Sequence, residues 1–169
     1  GPTNGLVGMD FNYANSDFNG GQTLMGKAWF AQSFTGGITS KQSSFGATLE
    51  YPNDRTDWKL SAVEIQENYK PELGFVNREG IRRYDAHYRN RIRRRGYVRT
   101  IDSVARGYLV TDRSSNIKSG QFNLMPLRLT SSIGDGIGLA YRHDYEHVDK
   151  AFEVYPGTGI EIPPGSYPV

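Results

Sequence analysis

Seven arginines fall within fifteen residues, IRRYDAHYRNRIRRR at 81–95, against one acid, Asp85. The stretch carries a local charge of +6 in a chain whose net charge is +2, so the remainder carries about −4. Guanidinium groups at this density suit anions: the phosphates of nucleic acid, acidic glycans, or carboxylates of the same chain. Three other patterns could carry chemistry. His143-Asp144-Tyr145-Glu146-His147 has H-x-x-E-H spacing, which on a helix brings two imidazoles to one zinc ion. Glu64, Glu67 and Glu72 could pair as acid and base for glycoside hydrolysis. Gly134-Asp135-Gly136-Ile137-Gly138 has the look of a glycine-rich loop. Each of these readings depends on the element that holds the residues.

Helical periodicity is nearly absent. Apolar and polar residues alternate with period two almost from end to end, which predicts an all-β antiparallel up-and-down meander. Eight long strands are expected at 5–13, 22–35, 42–52, 57–69, 81–95, 100–112, 117–130 and 136–148, with turn-forming residues between them. Residues 1–148 then form the meander, and 149–169 a connection into a further strand. Most of these strands run nine to fifteen residues, where globular strands average about five or six and membrane strands need about 9–11.

The faces are the stronger signal. Phe45, Ala47, Leu49 and Tyr51 oppose Ser44, Gly46, Thr48 and Glu50; Val7, Met9, Phe11 and Tyr13 oppose Gly8, Asp10 and Asn12; Ile137, Leu139 and Tyr141 oppose Gly138, Arg142, Asp144 and Glu146. Within 81–95, Arg83, Asp85, His87, Arg89, Arg91, Arg93 and Arg95 share one side. Tyr84, Ala86, Tyr88 and Ile92 share the other, with Arg82 and Arg94 near its two ends. A nucleic-acid arm has no use for that alternation. A barrel wall does: apolar outside, polar inside, with terminal arginines snorkelling to head groups. The candidate lumenal, solute-facing ladder is therefore Arg83, Asp85, His87, Arg89, Arg91, Arg93, Asp144 and Glu146, its arginines partnered by acids on neighbouring strands or left to favour anionic solutes. No nucleic-acid partner is expected. Strands 57–69, 100–112 and 117–130 alternate less cleanly.

On a strand, His143 and His147 stand about 13 Å apart, too far for one metal. Gly134–Gly138 reads as a hairpin turn, since no helix follows it. Nothing fixes the separation of the three glutamates. No catalytic residues, metal ligands or cofactor are assigned. Cysteine is absent, which removes disulfides and thiolate chemistry. No run of eighteen apolar residues exists, so a membrane-spanning helix is not expected. The chain does not begin with Met and reads as a piece of a longer protein.

The string Pro71-Glu72-Leu73-Gly74-Phe75-Val76-x-Arg78, followed by the arginine-rich strand, resembles an uncharacterised β-barrel domain of Gram-negative outer-membrane proteins. In that family the barrel follows a family-nine-like carbohydrate-binding module. NGLVGMDFNYANSDF at the start and FEVYPGTGIEIPPGSYPV at the end are similar to the family's early strand and to its link into a later one. The resemblance implies an integral outer-membrane barrel segment, a conduit or membrane platform. Its partners would be membrane lipid, the remaining barrel strands and an upstream carbohydrate-binding module. In isolation the expected form is an open, curved sheet. The competing reading is a soluble β-rich module that binds acidic glycans. Gly74 is expected to permit a tight bend in the motif loop.

Overall fold

The computed structural model describes residues 4–71, 78–149, 151–153, 159 and 161–168. These residues form no helix. They form strands β1 (Asn4–Phe18), β2 (Gln22–Thr35), β3 (Ser43–Pro52), β4 (Thr56–Ile65), β5 (Ile81–Arg93), β6 (Val98–Asp112), β7 (Ile117–Ser131), β8 (Gly136–Val148), β9 (Phe152–Glu153), β10 (Glu161–Ile162) and β11 (Gly165–Pro168). Strands β1 to β8 follow one another in a single antiparallel sheet, and β11 adds to β8 as its ninth member. The chain is thus an all-β, up-and-down meander in an open sheet, since β1 and β11 stand at opposite edges and do not pair. β9 and β10 form a separate two-stranded ribbon.

Tight turns make this meander possible. Asn19, Gly20 and Gly21 all lie at positive φ (49°, 83° and 88°), a region open to glycine and tolerated by asparagine. They reverse the chain only after Phe18, so β1 runs five residues beyond the 5–13 that alternation marks out; a register irregularity between Asn15 and Phe18 ends its regular pairing. Gly134 (φ 99°) closes the β7–β8 hairpin, whose Ser131 N–H bonds to the Asp135 carbonyl at 2.8 Å.

Residues directly opposite each other in an antiparallel pair share a face, so the register sorts every side chain. One line of partners runs Tyr13–Gly26–Leu49–Leu60–Ala86–Gly107–Phe122–His143. The next runs Phe11–Ala28–Ala47–Ala62–Tyr84–Leu109–Gly120–Tyr145. This face is apolar and open to solvent: Met9, Phe11, Leu60, Tyr88, Phe122, Leu139 and Tyr141 are all exposed. The opposite face carries Asp10, Lys27, Thr48, Ser61, Asp85, Tyr108, Gln121 and Asp144. It is the crowded one. The buried side chains include Ser33, Ser44, Asp102 and Ser119, while Ala28, Ala47, Ala62 and Ala86 on the apolar side stay exposed.

Two of the less regular strands acquire a physical explanation. In β7 the apolar residues are Phe122 and Leu124, then Leu127 and Leu129. The register shifts between Leu124 and Leu127 against β8 and between Met125 and Arg128 against β6, so a bulge around Pro126 switches the parity and keeps all four on one face. Proline has no N–H to give a ladder, and the bulge is where a sheet tolerates it; the Ser103 hydroxyl donates to the Pro126 carbonyl at 2.7 Å. β4 stops at Ile65, not at residue 69. Residues 66–70 turn back over the strand ends, where the Lys70 N–H donates to Ser33 Oγ at 3.1 Å and the Asn68 N–H to the Lys41 carbonyl at 2.8 Å. Tyr69 is buried there, and burial raises its phenol pKa. β5 ends at Arg93, two residues before the expected limit, and Arg94 begins a turn in which its N–H meets the Arg99 carbonyl. Within the 149–169 connection, Ile162 pairs with β9 in the side ribbon, and the strand beside β8 is Gly165–Pro168.

Candidate functional site

β5 presents Arg83, Asp85, His87, Arg89, Arg91 and Arg93 on the polar face, and β8 presents Asp144 and Glu146 on the same face. The arginines are mostly paired. Arg83 grips both oxygens of Asp85 at 2.8–3.1 Å and lies 4.6 Å above the centre of the Tyr108 ring. Arg89 meets Asp57, directly across on β4, at 3.0 Å. Arg91 donates to Asp102, directly across on β6, at 2.6 Å, and Asp102 is buried. Arg93 forks onto both oxygens of Asp54 in the β3–β4 turn at 2.6 and 2.8 Å, and this hydrogen bond, with the positive field of Arg93 and its neighbours, holds the Asp54 carboxyl below the usual aspartate range. His87 stands between Lys59 and Arg106, which oppose it on the two sides.

Asp144 and Glu146 share the ladder's face but not its partners. β8 is three strands from β5, and Asp144 pairs with Arg142 of its own strand at 2.6 Å. Glu146 takes Arg78 at 3.0 Å, and Arg78 also donates to Ser119 at 3.4 Å. Of the motif loop, Pro71 and Arg78 are described; Glu72, Leu73, Gly74, Phe75 and Val76, including the expected bend at Gly74, lie outside the described residues. Arg78 precedes β5, yet its side chain reaches β7 and β8 across the polar face.

The remaining patterns separate. Glu64 and Glu67 are joined through Arg113, at 3.2 and 2.8 Å, and Arg82 also holds Glu64 at 2.8 Å. Arg82 therefore sits in an ion pair on the apolar face, next to its border, instead of reaching outward alone. The Glu67 carboxyl is held below its usual range by a backbone N–H and by Arg113, so it is a fixed carboxylate and not a proton donor. Glu72 lies outside the described residues. His143 and His147 occupy one face of β8, where His147 contacts Ser166 at 3.0 Å and Asp149 at 3.5 Å. Among the described residues no three potential ligand side chains gather into a metal site.

Sequence reading missed Asp54, Asp57 and Arg142 as partners on this face. The alternation places Asp57 on the correct side of its strand, but only the β4–β5 register sets it against Arg89. Pairing leaves the surface less positive than the arginine count suggests, and its free cations lie elsewhere: Lys27, Arg99, Arg106 and Arg128 form no ion pair among the described residues. This arrangement of charges can bind and orient anions. Set against family models, curated proteins and solved structures, the chain matches none.

Proposed function

We propose that the chain is the wall of an outer-membrane β-barrel, with its apolar face against lipid and its arginine-bearing face toward a water-filled interior. The observation that carries this reading is the inverted distribution of side chains. Large apolar groups are exposed across eight strands, and serines and an aspartate are buried on the other side. A water-soluble domain buries its apolar face; a barrel in lipid turns it outward.

The apolar band adds a second support. In β1 it spans Val7 to Tyr13, centred three residues to one side of the Tyr13–His143 line; in β8 it spans Ile137 to Tyr141, centred four residues to the other side. The band thus drifts seven residues over seven strand-to-strand steps. One residue of about 3.3 Å per step of about 4.8 Å is a tilt of about 35°, the inclination at which membrane barrel strands cross a bilayer. Tyr13, Tyr51, Trp58 and Tyr88 follow one border of the band, with Tyr51 and Trp58 stacked at 5.8 Å. Phe34, Phe45, Phe122 and Tyr141 follow the other, as aromatic girdles do.

On this reading the unpaired outer edge of β1 joins further strands of the parent protein, and the interior serves as a conduit or the barrel as a platform for a carbohydrate-binding module. The resemblance of residues 71–78 and of both ends to the outer-membrane family supports that arrangement. The deciding experiment is alkaline carbonate extraction of Gram-negative envelopes that carry the full-length protein. Retention in the membrane pellet is expected. Release into the supernatant overturns the barrel and leaves a soluble module whose arginines would face an acidic glycan.

A further inference from the structure

At the Arg93 end of the polar face, β5, β6, β7 and the β7–β8 turn frame an open cavity of about 600 Å³. Arg91, Arg93, Arg99 and Arg128 line it, together with Thr100, Thr130 and one carboxylate, Asp102, which stands opposite Arg128. Arg91 is spent on Asp102 and Arg93 on Asp54. Arg99 and Arg128 make no ion pair or side-chain hydrogen bond among the described residues, and neither do the Thr100 and Thr130 hydroxyls. The remaining acid of this region, Asp135, lies exposed in the β7–β8 turn, tied to Ser131 through its backbone. Four guanidiniums therefore converge on one cavity, and the acids that touch them neutralise two.

We infer that this cavity is a binding site for a soluble, phosphate-bearing solute. A guanidinium presents planar forks of N–H donors that fit the oxygens of a phosphate, and such charge-assisted bonds are about twice as strong as neutral ones. Two free forks plus two hydroxyl donors match the several acceptor oxygens of one phosphate group. The cavity is larger than a bare ion and falls within the usual range for small-molecule sites, roughly 300–1,000 Å³, so an organic portion can follow the phosphate in. The site lies on the polar face, away from the apolar band, so a lipid head group would have to enter from the wrong side. The inference rests on the polar face alone and stands or falls apart from membrane insertion.

The test is calorimetric titration of inorganic phosphate into the full chain in chloride-poor, phosphate-free buffer, with insertion into lipid vesicles measured separately. Saturable binding is expected. The Arg99→Gln/Arg128→Gln double variant should weaken it at least about tenfold. Arg99→Lys/Arg128→Lys, which keeps the charge but loses the forks, should fall between. Arg142→Gln, on the same face but already paired to Asp144, should bind as the parent does. No saturable phosphate binding, or equal binding by the double Gln variant, overturns the site. Glucuronate binding in place of phosphate would overturn the ligand class. Response to phosphatidylglycerol micelles alone would overturn the soluble source. A chain that binds phosphate but never inserts into vesicles would remove the barrel and keep the site.

Discussion

Arginine substituted for Ala86 should separate a lipid-facing wall from every water-facing alternative. Ala86 lies mid-β5 on the apolar face, directly between Leu60 and Gly107, and is exposed. The nearest polar positions on that face of the strand are Arg82 and Asn90, each four residues away. Four residues span about 13 Å along the strand, or about 11 Å of depth at a tilt near 35°. An arginine near the middle of the membrane on a barrel's outer surface costs about 2–4 kcal/mol. Ala86→Arg should therefore cost about 3 kcal/mol, a shift of about a hundredfold in the folding equilibrium. Gln121→Arg is the matched control: Gln121 lies on the polar face opposite Asp144 and Tyr108, and the change should stay within about 1 kcal/mol. Denaturant titration of the full-length protein folded into phospholipid vesicles measures both. If Ala86→Arg folds and inserts like the parent, or if the two substitutions cost the same, the sidedness argued from exposure is wrong.

The paired arginines should differ sharply from one another. Asp102→Ala leaves Arg91 half-buried without its carboxylate, and urea denaturation should register a loss of about 2 kcal/mol, whereas Asp54→Ala, in an exposed turn, should leave the midpoint unchanged. The clasp Lys41–Glu67–Arg113 should be acid-labile. The Glu67 carboxyl titrates lower in the fold than in the unfolded chain, so its contribution is complete above the ordinary glutamate pKa and disappears as pH falls through the depressed value; Glu67→Gln should flatten that part of the stability–pH curve. Gly46→Ala should displace Trp29, because a Cβ at Gly46 would stand 2.8 Å from the indole nitrogen and 3.0 Å from the Ala62 carbonyl oxygen; an unchanged Trp emission spectrum in a Trp58→Phe background would contradict that contact.

The alternation of residues is local information, and it carried the fold class, the strand sequence and the common face of Arg83 to Arg93. What it could not carry was non-local. The connection from 66 to 80 is too long to set the β4–β5 register by turn geometry, so Asp57 was legible as a polar residue but not as the partner of Arg89. The bulge at Pro126 hid four leucine and phenylalanine positions of β7 behind an apparent break in pattern, because one extra residue inverts every later side chain. Val63 and Val110 fall on the polar face for a different reason. They lie toward the end of the sheet from which residues 66–70 turn back, and Val110, like Tyr69, is buried there. The cavity near Arg93 escaped notice because Arg99 and Arg128 come from two other strands and no spacing along the chain joins them.

Pro126 has a second consequence, for errors of alignment. A slip of one residue between two wall strands turns apolar groups inward and is rejected by lipid and water alike. A slip of two residues keeps every side chain on its proper face, so polarity alone is blind to it. Pro126 is not blind. It has no amide hydrogen to offer, and it fits where the bulge against β6 and β8 removes the need for one. Any two-residue slip of β7 would carry that gap into a regular stretch of ladder on one side or the other. One ring in the middle of β7 thus acts as a keyed notch, admitting a single frame among several that the hydrophobic pattern would accept.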